Sequence, residues 1–289
     1  MCDETTAAND DITLDHKGLT RREFAAIGTV AALSVYAPWS VAAEGKLTET
    51  SVEITTPDGK ADAFFVHPAK GKHPGVLIWP DAIGLRDAKK AMARRLAAQG
   101  YAVLVVNPYY RDVRAPLGLD FSAFRTPEGR AKIMPYMAGL TPEKVTRDAV
   151  AYVAFLDAQA AVDTKRGIGV QGYCMGGALS FRTAAAVPAR VKAVATFHGG
   201  GLVGDKPDSP YRLFAKTQAS YLIAVAKDDD AKAPGDKDAL AAAAKEAGRP
   251  AEIEVYGGDH GWCVPDAPAY NQVEAERAWA RLLTLYKTL

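Results

Sequence analysis

Apolar residues along this chain gather in short continuous runs, and between the runs they recur at helical spacing. Residues 51–56 and 61–67 read as two extended segments on either side of the turn signal Pro57-Asp58-Gly59. Unbroken runs at Gly75–Trp79 and Ala102–Val106 have the length and β-branched content of strands buried on both faces. Between them, residues 89–99 read as a helix closed by Gly100. Thr141-Pro142-Glu143 opens the next helix, with Thr as cap and Pro at the first helical position. It runs to about residue 160, with Val145, Ala149, Tyr152, Val153 and Leu156 on one face. Strands follow at 167–171, 191–197, 221–226 and 252–256, interleaved with helices from 174, over 237–247, and from about 269 to the C-terminus. Apolar strands alternating with amphipathic helices predict a mostly parallel sheet with helices on both faces. No internal repeat or long linker interrupts the pattern, so one domain is expected.

Composition narrows the function classes. Among 289 residues, 48% are hydrophobic and 24% charged, which is ordinary globular usage. The net charge of +1 and the lack of a basic stretch interleaved with aromatics exclude nucleic acid as an expected partner. Three cysteines cannot form a disulfide framework, and no Cys/His spacing suggests zinc.

The first residues carry a different signal. Thr20-Arg21-Arg22-Glu23-Phe24 precedes a mostly apolar run over residues 25–39, and small residues follow in Ser40-Val41-Ala42-Ala43. The run is broken by Gly28 and Pro38 and is too short for a stable membrane anchor. It resembles a twin-arginine export signal, although the residues ahead of it are acidic. The expectation is a signal peptide over residues 1–43, cleavage near Ala42/Ala43, passage through the twin-arginine machinery and a periplasmic domain over 44–289. The alternative is a cytoplasmic protein with an amphipathic N-terminal helix. Cleavage shifts the net charge to +4 and removes Cys2.

Candidate chemistry lies at the end of the strand over 167–171, in Gly172-Tyr173-Cys174-Met175-Gly176-Gly177. This is the G-x-S-x-G nucleophile elbow of α/β-hydrolases with sulfur in place of the hydroxyl. The glycines allow a sharp strand-to-helix turn where a side chain would collide with its neighbours. Cys174 would sit at a helix N-terminus, which favours the thiolate. In this fold the acid and then the histidine follow the nucleophile. Of five histidines, only His260 follows both Cys174 and an acid-bearing strand end, within Gly257-Gly258-Asp259-His260-Gly261-Trp262. The acid comes from Asp228, Asp229 or Asp230, which spacing alone does not separate. His198-Gly199-Gly200-Gly201 lies after the nucleophile, so it reads as a close-approach loop at the rim rather than an HGGG oxyanion motif. Cys263 is expected to pack.

Taken together, Gly172–Ala178, the Asp230-x-x-x-Pro234 spacing, Asp259-His260-Gly261, residues 79–85 and Asn107-Pro-Tyr-Tyr-Arg111 resemble the dienelactone hydrolase family of α/β-hydrolases over roughly residues 50 to 289. The resemblance implies a triad of Cys174, Asp230 and His260, with Asp230 chosen by its spacing to Pro234. It places the oxyanion hole at the backbone N–H groups of Ala82 and Met175. It also sets Asp81 where the family's glutamate holds the thiol and gates it on substrate binding, with a side chain one methylene shorter. Arg111, Tyr110 and Trp262 are expected to bind substrate. Val264 stands where the family has a second arginine, which favours a generic ester or lactone over an acidic dienelactone. The implied activity is hydrolysis of a small ester or lactone through a Cys174 thioester, with no metal or organic cofactor. The alternatives are a general carboxylesterase or thioesterase, and a non-catalytic periplasmic binding protein on the same fold.

Overall fold

The structure is a computed structural model that describes residues 46–289. The signal segment expected over residues 1–43 lies outside the described residues.

β1 (Leu47–Thr56) and β2 (Gly59–Pro68) form an antiparallel hairpin whose register ends at the Thr56↔Gly59 pair. Thr56 Oγ1 closes the turn, donating to the Gly59 carbonyl and accepting from the Asp58 N–H. β2 pairs antiparallel with β4 (Ala102–Val106). From there the sheet is parallel, through β3 (Gly75–Trp79), β5 (Ile168–Tyr173), β6 (Val191–Phe197), β7 (Ser220–Ala226) and β8 (Ala251–Tyr256). The order is β1-β2-β4-β3-β5-β6-β7-β8.

Every residue of β3, β4 and β5 is buried, because helices cover both faces. On one face, α1 (Asp87–Ala97) contributes Ala93 and Leu96, and the last helix, α8 (Gln272–Tyr286), contributes Ala278, Leu282 and Tyr286. On the other, α4 (Pro142–Asp157), α5 (Met175–Ala186) and α7 (Asp236–Glu246) supply Tyr152, Phe181 and Leu240. The stripe predicted for α4 is buried, and Thr141 caps the helix by accepting the Lys144 N–H. The chain leaves β3 toward β4 on one side and returns to β5 on the other. This reversal opens a crevice at the carboxyl ends of β3 and β5, where open α/β sheets bind their ligands.

Three helices depart from the sequence reading. α2 (Phe121–Phe124) and α3 (Pro127–Ala138) occupy a stretch for which the sequence pattern predicts no element, and α6 (Lys227–Lys232) turns the acidic segment after β7 into a short helix. The last helix begins at Gln272 rather than near 269, because Asn271 caps it by accepting the Glu274 N–H. Among the described residues no helix is long and apolar enough to cross a membrane.

Candidate active site

The nucleophile elbow is built from steric exclusion. Cys174 adopts φ 55 and ψ −120 between β5 and α5, a conformation that costs a non-glycine residue about 1–3 kcal/mol. A Cβ on Gly172 would lie 1.9 Å from the Gly176 carbonyl oxygen, and one on Gly176 would lie 2.6 Å from the Trp79 carbonyl oxygen. Both flanking glycines are therefore required. The Cys174 N–H donates to Phe197, and its carbonyl accepts from Gly177 and from Gly200. Gly199 approaches so closely that a Cβ on Gly177 would meet its Cα at 2.9 Å. The glycine-rich segment after β6 is thus a close-approach loop, as its position in the sequence predicts.

His260 lies on the loop after β8, and the aspartates before it correct one expectation. Its Nδ1 is 2.6 Å from Asp229 Oδ2, and its backbone N–H donates to Asp228 Oδ1 at 2.7 Å. Asp230, the expected partner, instead accepts from Lys237 Nζ at 2.8 Å. The cause is α6, in which successive side chains are rotated by about 100°. That rotation aims Asp229 at the imidazole and turns Asp230 toward Lys237. The Lys227 N–H donates to the Gly258 carbonyl and ties α6 to the histidine loop. Burial disfavours a charged His260 ring, but hydrogen bonding to Asp229 and Cys174, and their charges, raise it to about 10.

Across the crevice, Ala82 follows β3 and Met175 opens α5. Among the described residues, neither backbone N–H has a protein acceptor, while the Ala82 carbonyl accepts from Tyr109 Oη at 2.9 Å. Asp81 is buried, and cations occupy it. Arg86 donates to both carboxylate oxygens at 2.7 and 3.0 Å, Lys89 Nζ lies 2.9 Å from Oδ2, and the Ile83 N–H donates to Oδ1. Burial opposes its ionisation, yet the two cations hold its carboxyl well below the usual carboxylate range. The expected partner of Asp81 was the Cys174 thiol; the partners found are Arg86 and Lys89.

His198, expected at the rim, is only 2% exposed and sits at φ 41. Its ring packs edge-on against His260 with centroids 4.6 Å apart, and neither ring nitrogen has a hydrogen-bond partner. Burial, then the neighbouring His260 and Lys89, push its pKa well below the ordinary histidine value.

These groups open into a cavity of about 550 Å³ lined by Asp81, Ala82, Cys174, His198, Asp228, Asp259 and His260, and by Phe121, Phe124, Arg125 and Arg130 of the α2–α3 segment. The three expected substrate contacts lie elsewhere. Arg111 is bound to Asp148 and Asp58, stacked over the Tyr110 ring, and Tyr110 Oη itself donates to Asp148. Trp262 is fully buried, stacked on Tyr256 at 4.7 Å. The cations that do face the cavity, Arg125 and Arg130, are exposed and make no ion pair with a described residue. The signal that could have found them is Thr126-Pro127-Glu128, which repeats the cap pattern of Thr141-Pro142-Glu143. Cys263 is buried, which pushes its thiol up to about 12 despite the nearby Lys89. Among the described residues no group of three metal-ligating side chains converges.

Comparison with known proteins agrees with this architecture. The sequence model of the Dienelactone hydrolase family matches residues 61–289. A Methylorubrum extorquens protein that carries the name carboxymethylenebutenolidase is 29% identical over 238 residues, covering 80% of this chain and 78% of that protein. A crystal structure described as a dienelactone hydrolase from Klebsiella pneumoniae superposes with a TM-score of 0.72 at 22% identity, covering 84% of this chain and 100% of that one. A dienelactone hydrolase-like promiscuous phosphotriesterase from metagenomic libraries gives 0.69 at 25% identity, covering 84% and 98%.

Proposed function

Since the chain belongs to the dienelactone hydrolase family, a hydrolase family with the α/β-hydrolase fold, we propose that it cleaves a small ester or lactone through a thioester on Cys174. One observation carries the reading. Cys174 stands on a strained elbow at the cavity floor, beside an imidazole whose far nitrogen is held by Asp229 at 2.6 Å. Hydrogen bonding to Asp229 and Cys174 raises the His260 pKa to about 10 against its burial, which keeps a proton on the ring for the leaving group.

The thiolate sulfur adds to the acyl carbon, and the carbonyl oxygen takes the negative charge toward the Ala82 and Met175 N–H groups. The ester C–O bond then breaks, and the leaving oxygen takes the proton from His260 Nε2. Water next adds to the thioester carbon as it gives a proton to His260, and cleavage of the C–S bond returns the thiolate and frees the acid. Asp229 keeps the Nδ1 proton in place through both steps.

The cavity also suggests a substrate shape. Phe121 and Phe124 offer apolar walls, and the exposed Arg125 and Arg130 bring positive charge to the α2–α3 side, apart from the carboxylates of Asp228 and Asp259. An ester or lactone with an apolar body and an anionic substituent fits this arrangement.

The experiment is stopped-flow hydrolysis of p-nitrophenyl acetate. A burst of about one p-nitrophenol per chain is expected, with one acetyl group on a Cys174 peptide, and Cys174→Ala should abolish both. A burst that survives in Cys174→Ala would assign the nucleophile elsewhere.

A further inference from the structure

Lys89 is fully buried on α1, whereas Asp87, Lys90 and Arg94 of the same helix reach solvent. An ammonium leaves water in a folded protein only where it is paired, and the partners of Lys89 lie on two separate strands' ends. Its Nζ is 2.9 Å from Asp81 Oδ2, just after β3, and 3.8 Å from the centroid of the Tyr173 ring, the last residue of β5. Asp81 immediately precedes Ala82. Tyr173 immediately precedes Cys174 and Met175. One side chain therefore touches both segments that present the candidate oxyanion donors.

The surroundings make its charge count. Arg86 also holds Asp81, but its other partner, Asp266, is 42% exposed. The buried part of the cluster sets Arg86 and Lys89 against one carboxylate, Asp81, and burial lowers the Lys89 pKa from its ordinary value against the pull of Asp81. The remaining titratable groups that face Lys89 are uncharged at neutral pH: Cys263 after β8, His198 after β6 and Tyr173 itself.

We propose that Lys89 is a positioning residue for the oxyanion hole: it clamps the Asp81–Ala82 turn to the Tyr173–Cys174 elbow and sets buried positive charge behind the two segments that present the oxyanion donors. The proposal rests on the ester-hydrolase reading of the site. In it, Asp81 is the fixed counter-ion of Lys89 rather than a gate for the thiol.

The test compares wild type with Lys89→Met, which keeps chain length and loses charge, and with Asp81→Asn/Lys89→Met, which removes the buried pair together. Two quantities are read: kcat and KM for p-nitrophenyl acetate, and the pH dependence of Cys174 alkylation by iodoacetamide without substrate. Circular dichroism melts establish which variants fold. The proposal expects kcat to fall about tenfold or more with KM within about twofold, as for weakened oxyanion stabilisation. It also expects the alkylation midpoint to move to higher pH in Lys89→Met, and less in the double variant, which loses one charge of each sign. If Lys89→Met does not fold, kcat of the double variant decides. Wild-type kcat and a wild-type alkylation profile in a folded variant would overturn the proposal. A wild type without a burst sinks the ester-hydrolase reading instead, and the alkylation profiles still decide whether Lys89 acts on the sulfur.

Discussion

The two halves of the site are specified in different ways. On the elbow side, β5 and α5 leave no choice: Gly172 and Gly176 are forced by backbone atoms 1.9 and 2.6 Å from where a Cβ would stand, and Cys174 is forced to φ 55. On the acid–histidine side, three consecutive aspartates follow β7, and only the rotation of α6 selects the one that meets His260. Backbone exclusion leaves a mark that a short motif records. Side-chain direction on a polar helical turn leaves none.

The largest expected effect tests that contrast on the acid side. Asp229→Asn should cut kcat about a thousandfold, because the imidazole loses its orienting carboxylate. Asp230→Asn should stay within about twofold, since it loses only a contact to a half-exposed Lys237. The pH profile sharpens the result. His260 is protonated below its pKa, so the wild-type alkaline limb should fall near pH 10. Without Asp229 the proton is held less tightly and the limb should move toward neutral pH. A damaging Asp230→Asn beside a harmless Asp229→Asn would reverse the pairing.

On the elbow side, Gly172→Ala should destabilise the protein by about 3 kcal/mol or more, beyond ordinary overpacking, because the new carbon meets backbone that cannot yield. Urea unfolding measures this directly. An alanine variant as stable as wild type would mean that the turn relaxes and the motif is not sterically enforced.

The smallest effect concerns the cavity mouth. Arg125→Ala or Arg130→Ala should lower kcat/KM for an acidic ester about tenfold relative to its methyl ester, a solvent-exposed charge-assisted contact being worth little more. Arg111→Ala should leave that ratio unchanged, because its guanidinium is committed to Asp148 and Asp58. A ratio that follows Arg111 instead would place the anion contact outside the cavity described above.

The same contrast explains what could be read in advance. β3, β4 and β6 have the predicted bounds because sheets covered on both faces require unbroken apolar runs. Cys174 and His260, singled out by motif and chain order, line the same cavity. α3 was missed because it buries only Gly129 and Ile133 and so shows no apolar stripe, although its Thr126 cap was in view. α6 was missed because Lys227–Lys232 has no apolar spacing at all, and the choice of Asp230 failed with it. Trp262 stood in a glycine-rich loop beside His260 and drew a substrate role, but its ring packs on Tyr256. Lys89 gave no signal, since its partners Asp81 and Tyr173 are brought to it by the sheet.

Among the described residues, the non-glycine positions with positive φ are Cys174 and His198, and both border the same cavity. His198 is disfavoured twice, by its left-handed backbone and by two ring nitrogens buried without partners. Glycine at that position would relieve both burdens and remove the ring that braces His260. Stability alone therefore weighs the relief of both burdens against the cavity left by the ring, while the position of His260 depends on the ring being there.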